Sequence, residues 1–359
     1  MLTRAPAGGF APAAIMPARR TAFRDHNQRL LSGPALTDSD LSNEKIPLYR
    51  FLAPRFWPVW LALGIVRLLV AMPFGVQLLA GRAIGRIAYA GARERRRIAA
   101  RNLALAFPEM DEAARRRLLR RHFESLGMSI IETGLCWWAE DARIERLAEI
   151  RGLEHVEAAL ASGRGAIMLT GHFTTLDLGG RFLTRKAPVS AMYRPHRNPL
   201  FEEIMRRGRE RSAKHAFVKT DVRAMIRGLR NNHLIWYAPD QAHKRGKYSA
   251  AVPFFGVPSP TNIATSTFAR LGDAPVIPFF PVRLPGKAGY RVDILPPLEG
   301  FPGDDPVEDA ARINRLLEER IRMCPEQYLW VHRRFKQAGP EGADHYGPLA
   351  RKRKSRPSA

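Results

Sequence analysis

A histidine followed five positions later by an aspartate, His172 and Asp177, is the pair best placed to move a proton in this 359-residue chain. A carboxylate that accepts the Nδ1 proton of an imidazole fixes its tautomer and strengthens Nε2 as a base, the arrangement that activates a hydroxyl. Such a base contributes on the order of 10²–10⁴ in rate. Spacing alone decides nothing, because ten histidines and 34 acidic residues in a chain of this length produce such a pair by chance. Read blandly, Asp177 favours a helix start and His172 packs in a loop. Location adds weight. An apolar run at 166–170 leads into Gly171, read as permitting a tight turn, and a helical pattern follows at 174–186. A base is thereby placed at the exit of a buried strand.

Three further residues stand in comparable places. Arg194 follows a strand-like run and precedes a proline-bounded turn, where a guanidinium grips a phosphate; taken singly it is an ordinary surface arginine. Arg209 lies in the arginine-rich run 206–211 and faces either a cleft or solvent. Asp240 stands just past another apolar run, in the Pro-Asp pair of 239–240, which is also a common turn former. Polar residues at three strand ends, His172 with Asp177, Arg194 and Asp240, count for more together than separately. Other chemistry is absent: the chain has no glycine-rich phosphate loop followed by Lys-Ser/Thr, no Gly-x-Ser-x-Gly elbow and no clustered metal ligands. Cys136 sits among Leu135, Trp137 and Trp138, an apolar setting that raises a thiol's pKa and argues against covalent catalysis.

The elements that would carry these residues follow from periodicity. Residues 93–162 read as mainly helical. Beyond them, strand-like runs at 166–170, 189–193, 233–237, 276–282 and 290–295 alternate with helical patterns at 174–186, 198–212, 221–230 and 261–271. Another helix falls at 306–323. Alternation of this kind predicts an α/β fold, a sheet flanked by helices, with ligands at the carboxyl ends of its strands.

The chain carries 58 Lys and Arg against 34 Asp and Glu, a net charge of +24, and 45% hydrophobic residues. It buries a sizeable core and seeks anionic partners: nucleic acid, anionic lipid or an acidic protein. Residues 57–80 are the candidate membrane segment. Twelve of them are Leu, Ile, Val or Phe, worth about −4 to −7 kcal/mol on insertion, against a cost of about 2.5–3.5 kcal/mol for Arg67. The same run also reads as an interfacial or buried core helix. Arg82, Arg86, Arg93, Arg95, Arg96, Arg97 and Arg101 lie downstream, against Lys45, Arg50 and Arg55 upstream. That asymmetry places everything after residue 81 in the cytoplasm. The expected organisation is a flexible leader at 1–48, an anchor and juxtamembrane segment at 49–90, a catalytic domain at 91–338 and a basic tail at 339–359.

Several stretches together carry a family resemblance: Arg101-Asn-Leu, Phe107-Pro, Ser125-Leu-Gly-Met and Glu132-Thr-Gly, then His172-Phe and Leu176-Asp-Leu-Gly-Gly-Arg, then Tyr193-Arg-Pro-His. Trp236-Tyr-Ala-Pro-Asp-Gln, Pro325-Glu-Gln-Tyr-Leu-Trp and His332-Arg-Arg-Phe-Lys complete the set. From about Tyr49 to Lys336 the chain resembles the lipid A biosynthesis acyltransferases, on their lauroyltransferase branch. The resemblance implies a glycerolipid-acyltransferase-like mixed sheet with an N-terminal membrane-anchoring helix. It also implies an inner-membrane location with a cytoplasmic catalytic domain and no metal or organic cofactor. The implied reaction moves a lauroyl-type chain from the acyl carrier protein thioester to a hydroxyacyl chain of a lipid A precursor such as Kdo2-lipid IVA. The arginines beside the apolar segment make anionic inner-membrane lipids the expected partners, with no nucleic acid expected. His172 and Asp177 then fall on the family's catalytic His-x4-Asp/Glu motif, and Arg194, Arg209 and Asp240 on stretches that bind substrate. One departure stands out: after Asp240-Gln241 many members continue Asp-Tyr-Gly, whereas here the chain reads Ala242-His-Lys. A different membrane lipid as acceptor, and a basic nucleic-acid-binding protein, are the competing readings. The +24 charge motivates the latter, but no nucleic-acid-binding motif accompanies it.

Overall fold

The computed structural model describes residues 46–193, 196–210, 215–218, 221–242, 246–336 and 344–347. Four helices come first: α1 (Trp57–Ala71), α2 (Phe74–Gly91), α3 (Arg93–Ala106) and the long α4 (Glu112–Trp138). The single segment expected at 57–80 is two helices, because Pro73 cannot donate into a continuing helix and stands as the N-cap of α2. Gln77 serves this break: buried, its Nε2 donates to the carbonyls of Val70 and Met72 at 2.7 and 3.0 Å. Among the described residues one stretch, 54–71, is long and apolar enough to cross a membrane.

The α4 helix begins at Asp111, whose side chain accepts from the amide of Ala114. It packs against α2 through glycines. A Cβ on Gly127 would stand 2.1 Å from the Gly81 carbonyl oxygen, and one on Gly85 2.2 Å from that of Phe123. The two backbones touch, which glycine alone permits.

The α/β part follows: α5 (Asp141–Glu145), β1 (Ala148–Arg151), α6 (Leu153–Ala161), β2 (Ala166–Leu169), α7 (Leu176–Thr184), β3 (Val189–Tyr193), α8 (Pro199–Glu210), β4 (His215–Val218), α9 (Val222–Arg230) and β5 (Leu234–Tyr237). The hairpin β6 (Ser249–Phe254) and β7 (Val257–Asn262) comes next, then α10 (Thr265–Gly272), β8 (Val276–Arg283), β9 (Tyr290–Ile294) and α11 (Pro306–Met323). The seven-stranded sheet runs in the order β1-β9-β8-β2-β5-β3-β4. All its pairs are parallel except β8 with β9. It is the mixed sheet the sequence implied. The β6–β7 hairpin was missed because Pro253, Pro258 and Pro260 mask its period, and Pro is tolerated there at the edge of a two-stranded ribbon.

Alternation along each strand divides the core between the two faces. Ile167, Leu169, Ile235, Val276 and Phe280 pack with α3, α9, α10, α11 and the first half of α4. Met168, Leu234, Ile277 and Phe279 pack with α1, α6, α7 and the end of α4. The central strand β2 is buried at every position, so its carboxyl end is held from both sides.

Candidate active site

The register of the two central strands builds the site. β2 and β5 pair in parallel with Leu169 opposite Tyr237, and Thr170 N donates to the Tyr237 carbonyl at 3.0 Å. Three residues beyond that pair lie His172 on one strand exit and Asp240 on the other. They meet: His172 Nδ1 stands 2.5 Å from Asp240 Oδ1, and the His172 backbone amide donates to Oδ2 at 2.8 Å. The Asp240 side chain is 1% exposed and that of His172 27%, so the carboxylate is sealed while the imidazole keeps an open edge.

Electrostatics assign the proton. Burial by itself would raise the Asp240 carboxyl, but His172's charge, its two hydrogen bonds and one from Tyr328 bring it down to about 2. Asp240 is therefore ionised at neutral pH and accepts, so Nδ1 carries the proton. In the neutral ring Nε2 is then the free lone pair. Burial opposes charge on His172, yet the carboxylates of Asp240 and Asp177 outweigh it and hold the imidazole above its ordinary value. Both effects make a stronger base.

The Nδ1 partner is thus Asp240 rather than Asp177. Asp177 lies in the first turn of α7 and is exposed; Thr133 Oγ1 donates to its carboxylate at 3.2 Å. The helix start carries that side chain outward, whereas the neighbouring parallel strand delivers Asp240 beside the ring. Asp177 still contributes charge to His172. Gly171 also differs from expectation: it is not among the residues of positive φ. A Cβ there would approach Leu317 at 3.1 Å and Phe173 at 3.2 Å, so close packing accounts for the glycine.

The loop bearing His172 is clamped from below by a buried network. Arg283, at the end of β8, donates through Nε and Nη2 to the two oxygens of Glu132 at 2.5 and 2.8 Å, and the Tyr290 hydroxyl donates to the same carboxylate. Arg283 Nη1 reaches Ser125 Oγ at 2.8 Å, which lies 2.7 Å from Thr174 Oγ1. Gln327 joins the set, bonding the Arg283 backbone through both side-chain atoms while its carbonyl accepts from the Thr174 amide. The loop is further tied by Leu329 N to the His172 carbonyl and by a bridge between Phe173 and Tyr328.

Residue-by-residue reasoning did not single out Glu132, Arg283, Tyr328 or Arg334. Tyr328 bonds Asp240, and the wholly buried Arg334 feels both. Glu132, Tyr328 and Arg334 lie within the stretches that carried the resemblance, which was their signal; Arg283, just past the apolar run 276–282, had none. Arg194 and the side chain of Arg209 lie outside the described residues. Cys136 and Cys324 are buried and free. Burial pushes both thiols up, Cys324 to about 12, in line with the apolar setting read for Cys136.

The family model for bacterial lipid A biosynthesis acyltransferase matches residues 45–337, a span that holds the whole site. The chain belongs to that family. It is 41% identical over 293 residues to the lipid A biosynthesis lauroyltransferase of Escherichia coli K12, covering 81% of this chain and 95% of the relative. It is 38% identical over 287 residues to the palmitoleoyltransferase of the same organism, covering 80% and 93%. To the lipid A biosynthesis myristoyltransferase of that strain it is 26% identical over 305 residues, covering 83% and 94%. Among solved structures, the 1-acyl-sn-glycerophosphate acyltransferase of Thermotoga maritima superposes with a TM-score of 0.34 at 12% identity, covering 69% of this chain and 97% of that one. That agreement is too loose to carry an argument. In this lipid A acyltransferase the imidazole of His172 stands just past the end of the central strand, held by Asp240.

Proposed function

We propose that this lipid A acyltransferase moves a lauroyl-type fatty acyl group from acyl carrier protein to the hydroxyl of a hydroxyacyl chain on a lipid A precursor. The observation that carries the reading is the His172–Asp240 pair, one edge of the imidazole sealed against an ionised carboxylate and the other open. His172 Nε2 removes the proton from the acceptor hydroxyl. The alkoxide attacks the thioester carbonyl, the carbonyl reforms, and the carrier thiolate leaves and takes up the proton from the imidazolium. Asp240 holds the tautomer and offsets the charge that forms on the ring. Asp177 adds negative potential at the exposed edge of the site. Arg194 and Arg209 bind the phosphorylated substrate, and backbone amides near the strand ends serve the oxyanion. Direct transfer to the hydroxyl needs no acyl-enzyme.

The chain works at the cytoplasmic face of the inner membrane, held there by its N-terminal apolar helix. The +24 charge draws both the phosphorylated glycolipid and an acidic carrier protein. The test supplies purified protein with acyl carrier thioester and a tetraacylated, sugar-decorated lipid A precursor. The expected product is heavier by one acyl chain, and His172→Ala abolishes it. Transfer that persists undiminished in His172→Ala overturns the mechanism. Transfer to a glycerolipid but not to the lipid A precursor overturns the acceptor.

A further inference from the structure

We propose that the N-terminal helices lie flat in the cytoplasmic leaflet of an anionic bilayer, as an embedded face of the catalytic domain rather than a span that leaves it. The inference rests on the reading that the acceptor is a membrane lipid. It begins with how α1 is held. Arg207 Nη2 on α8 donates to the carbonyl of Ile46, ahead of α1, at 3.0 Å. At its other end, Arg143 donates to the carbonyls of Val70 and Met72 at 2.6 and 2.9 Å. Between these ties Phe51, Phe56, Leu63 and Val70 are buried in the same cluster as Leu135, Trp137 and Leu200. Both ends and one side of the helix are therefore bound to one domain. A span would have to carry one end to the far side of hydrocarbon about 30 Å thick. The apolar stretch 54–71 has the length to do so, but ties at both ends hold it to one domain. Arg67, the charge most costly to insertion, stays exposed but reaches the protein, donating to the Trp138 carbonyl and stacking on its ring.

The other side of these helices is apolar and bare. Trp57, Leu61, Ile65 and Leu68 are exposed and recur at helical spacing down one stripe of α1, with exposed Met72 just past its end. Val76, Leu79 and Ile87 continue it on α2, Ile87 being 73% exposed. Patches of this kind mark membrane or protein contacts. The charge beside this one selects the membrane. Arg82 and Arg86 flank the stripe on α2, and Arg93 and Arg97 follow on α3, an amphipathic basic pattern suited to anionic headgroups.

The arrangement predicts that residues on both sides of α1 face the cytoplasm. Single cysteines introduced as Ser32→Cys and Ser355→Cys, with the two buried native cysteines retained, would be probed with a membrane-impermeant maleimide. Both are expected to react in inverted inner-membrane vesicles and neither in spheroplasts. Labelling of Ser32→Cys in spheroplasts overturns the proposal. Independently, Ile87→Asp, at an exposed site that spares the fold, is expected to weaken flotation with phosphatidylglycerol–phosphatidylethanolamine vesicles at least tenfold. Unchanged binding overturns the embedded face. Neither readout involves acyl transfer, so failure here leaves the proposed reaction standing.

Discussion

At the scale of single residues, the account turns on which carboxylate orients His172. Asp240→Asn keeps the shape of the side chain but presents an amide that no longer enforces the Nδ1–H tautomer. A fall in kcat of about 10²–10⁴ is expected, against a smaller fall for Asp177→Asn, whose carboxylate touches Thr133 instead. Equal losses in the two variants would deny Asp240 its role. The same pair sets the pH response. His172 is held above its ordinary value, so the base is lost by protonation as pH falls through a midpoint above about 6.5. In Asp240→Asn that midpoint moves down, which a kcat/KM profile reads directly. Stability follows the opposite partner. Asp240's folded value of about 2 lies below its usual 3.8, so its contribution is present above pH 4 and lost as pH falls toward 2. The sequence places His172 and Asp240 at strand ends but pairs the imidazole with Asp177, whereas in the fold its Nδ1 meets Asp240. Five-residue spacing is visible in a sequence; the register that sets Leu169 opposite Tyr237 is not.

At the scale of elements, the strand at 166–170 and the helix at 306–323 were legible because their apolar periods are clean and, for the latter, Asp305 and Pro306 mark the start. The break inside 57–80 was marked by Pro73 but hidden by continuous hydropathy on either side. The short edge strands β1 and β4 gave too few residues for a period. Two contacts between elements are open to test. Glu132→Gln leaves the Arg283 guanidinium buried without its counter-charge. A loss of about 3–5 kcal/mol in unfolding free energy is expected, measured by denaturant titration; a change below about 1 kcal/mol would mean the pair is not the clamp described. Gly127→Ala drives a methyl into the Gly81 carbonyl and should cost at least about 1–3 kcal/mol by overpacking, read as a lowered Tm. An unchanged Tm would show that α2 and α4 stand further apart.

At the scale of the whole molecule, charge and surface tie the chain to its substrates. In the proposed reaction a net +24 speeds encounter with an acidic carrier, and salt screens that attraction over about 10 Å at 0.1 M. Raising ionic strength is expected to lower kcat/KM for the carrier thioester while kcat changes little; equal falls in both would remove steering from the account. Composition alone made anionic partners legible but could not choose between lipid and nucleic acid. Family membership implies a lipid A precursor as substrate, and the apolar stripe beside the arginines supports the membrane surface proposed above. The most direct test of the central claim is the mass of lipid A from cells with and without this protein. The account predicts that its loss removes one acyl chain, restored by the wild-type protein but not by His172→Ala. An unchanged acylation pattern, or restoration by His172→Ala, would contradict it.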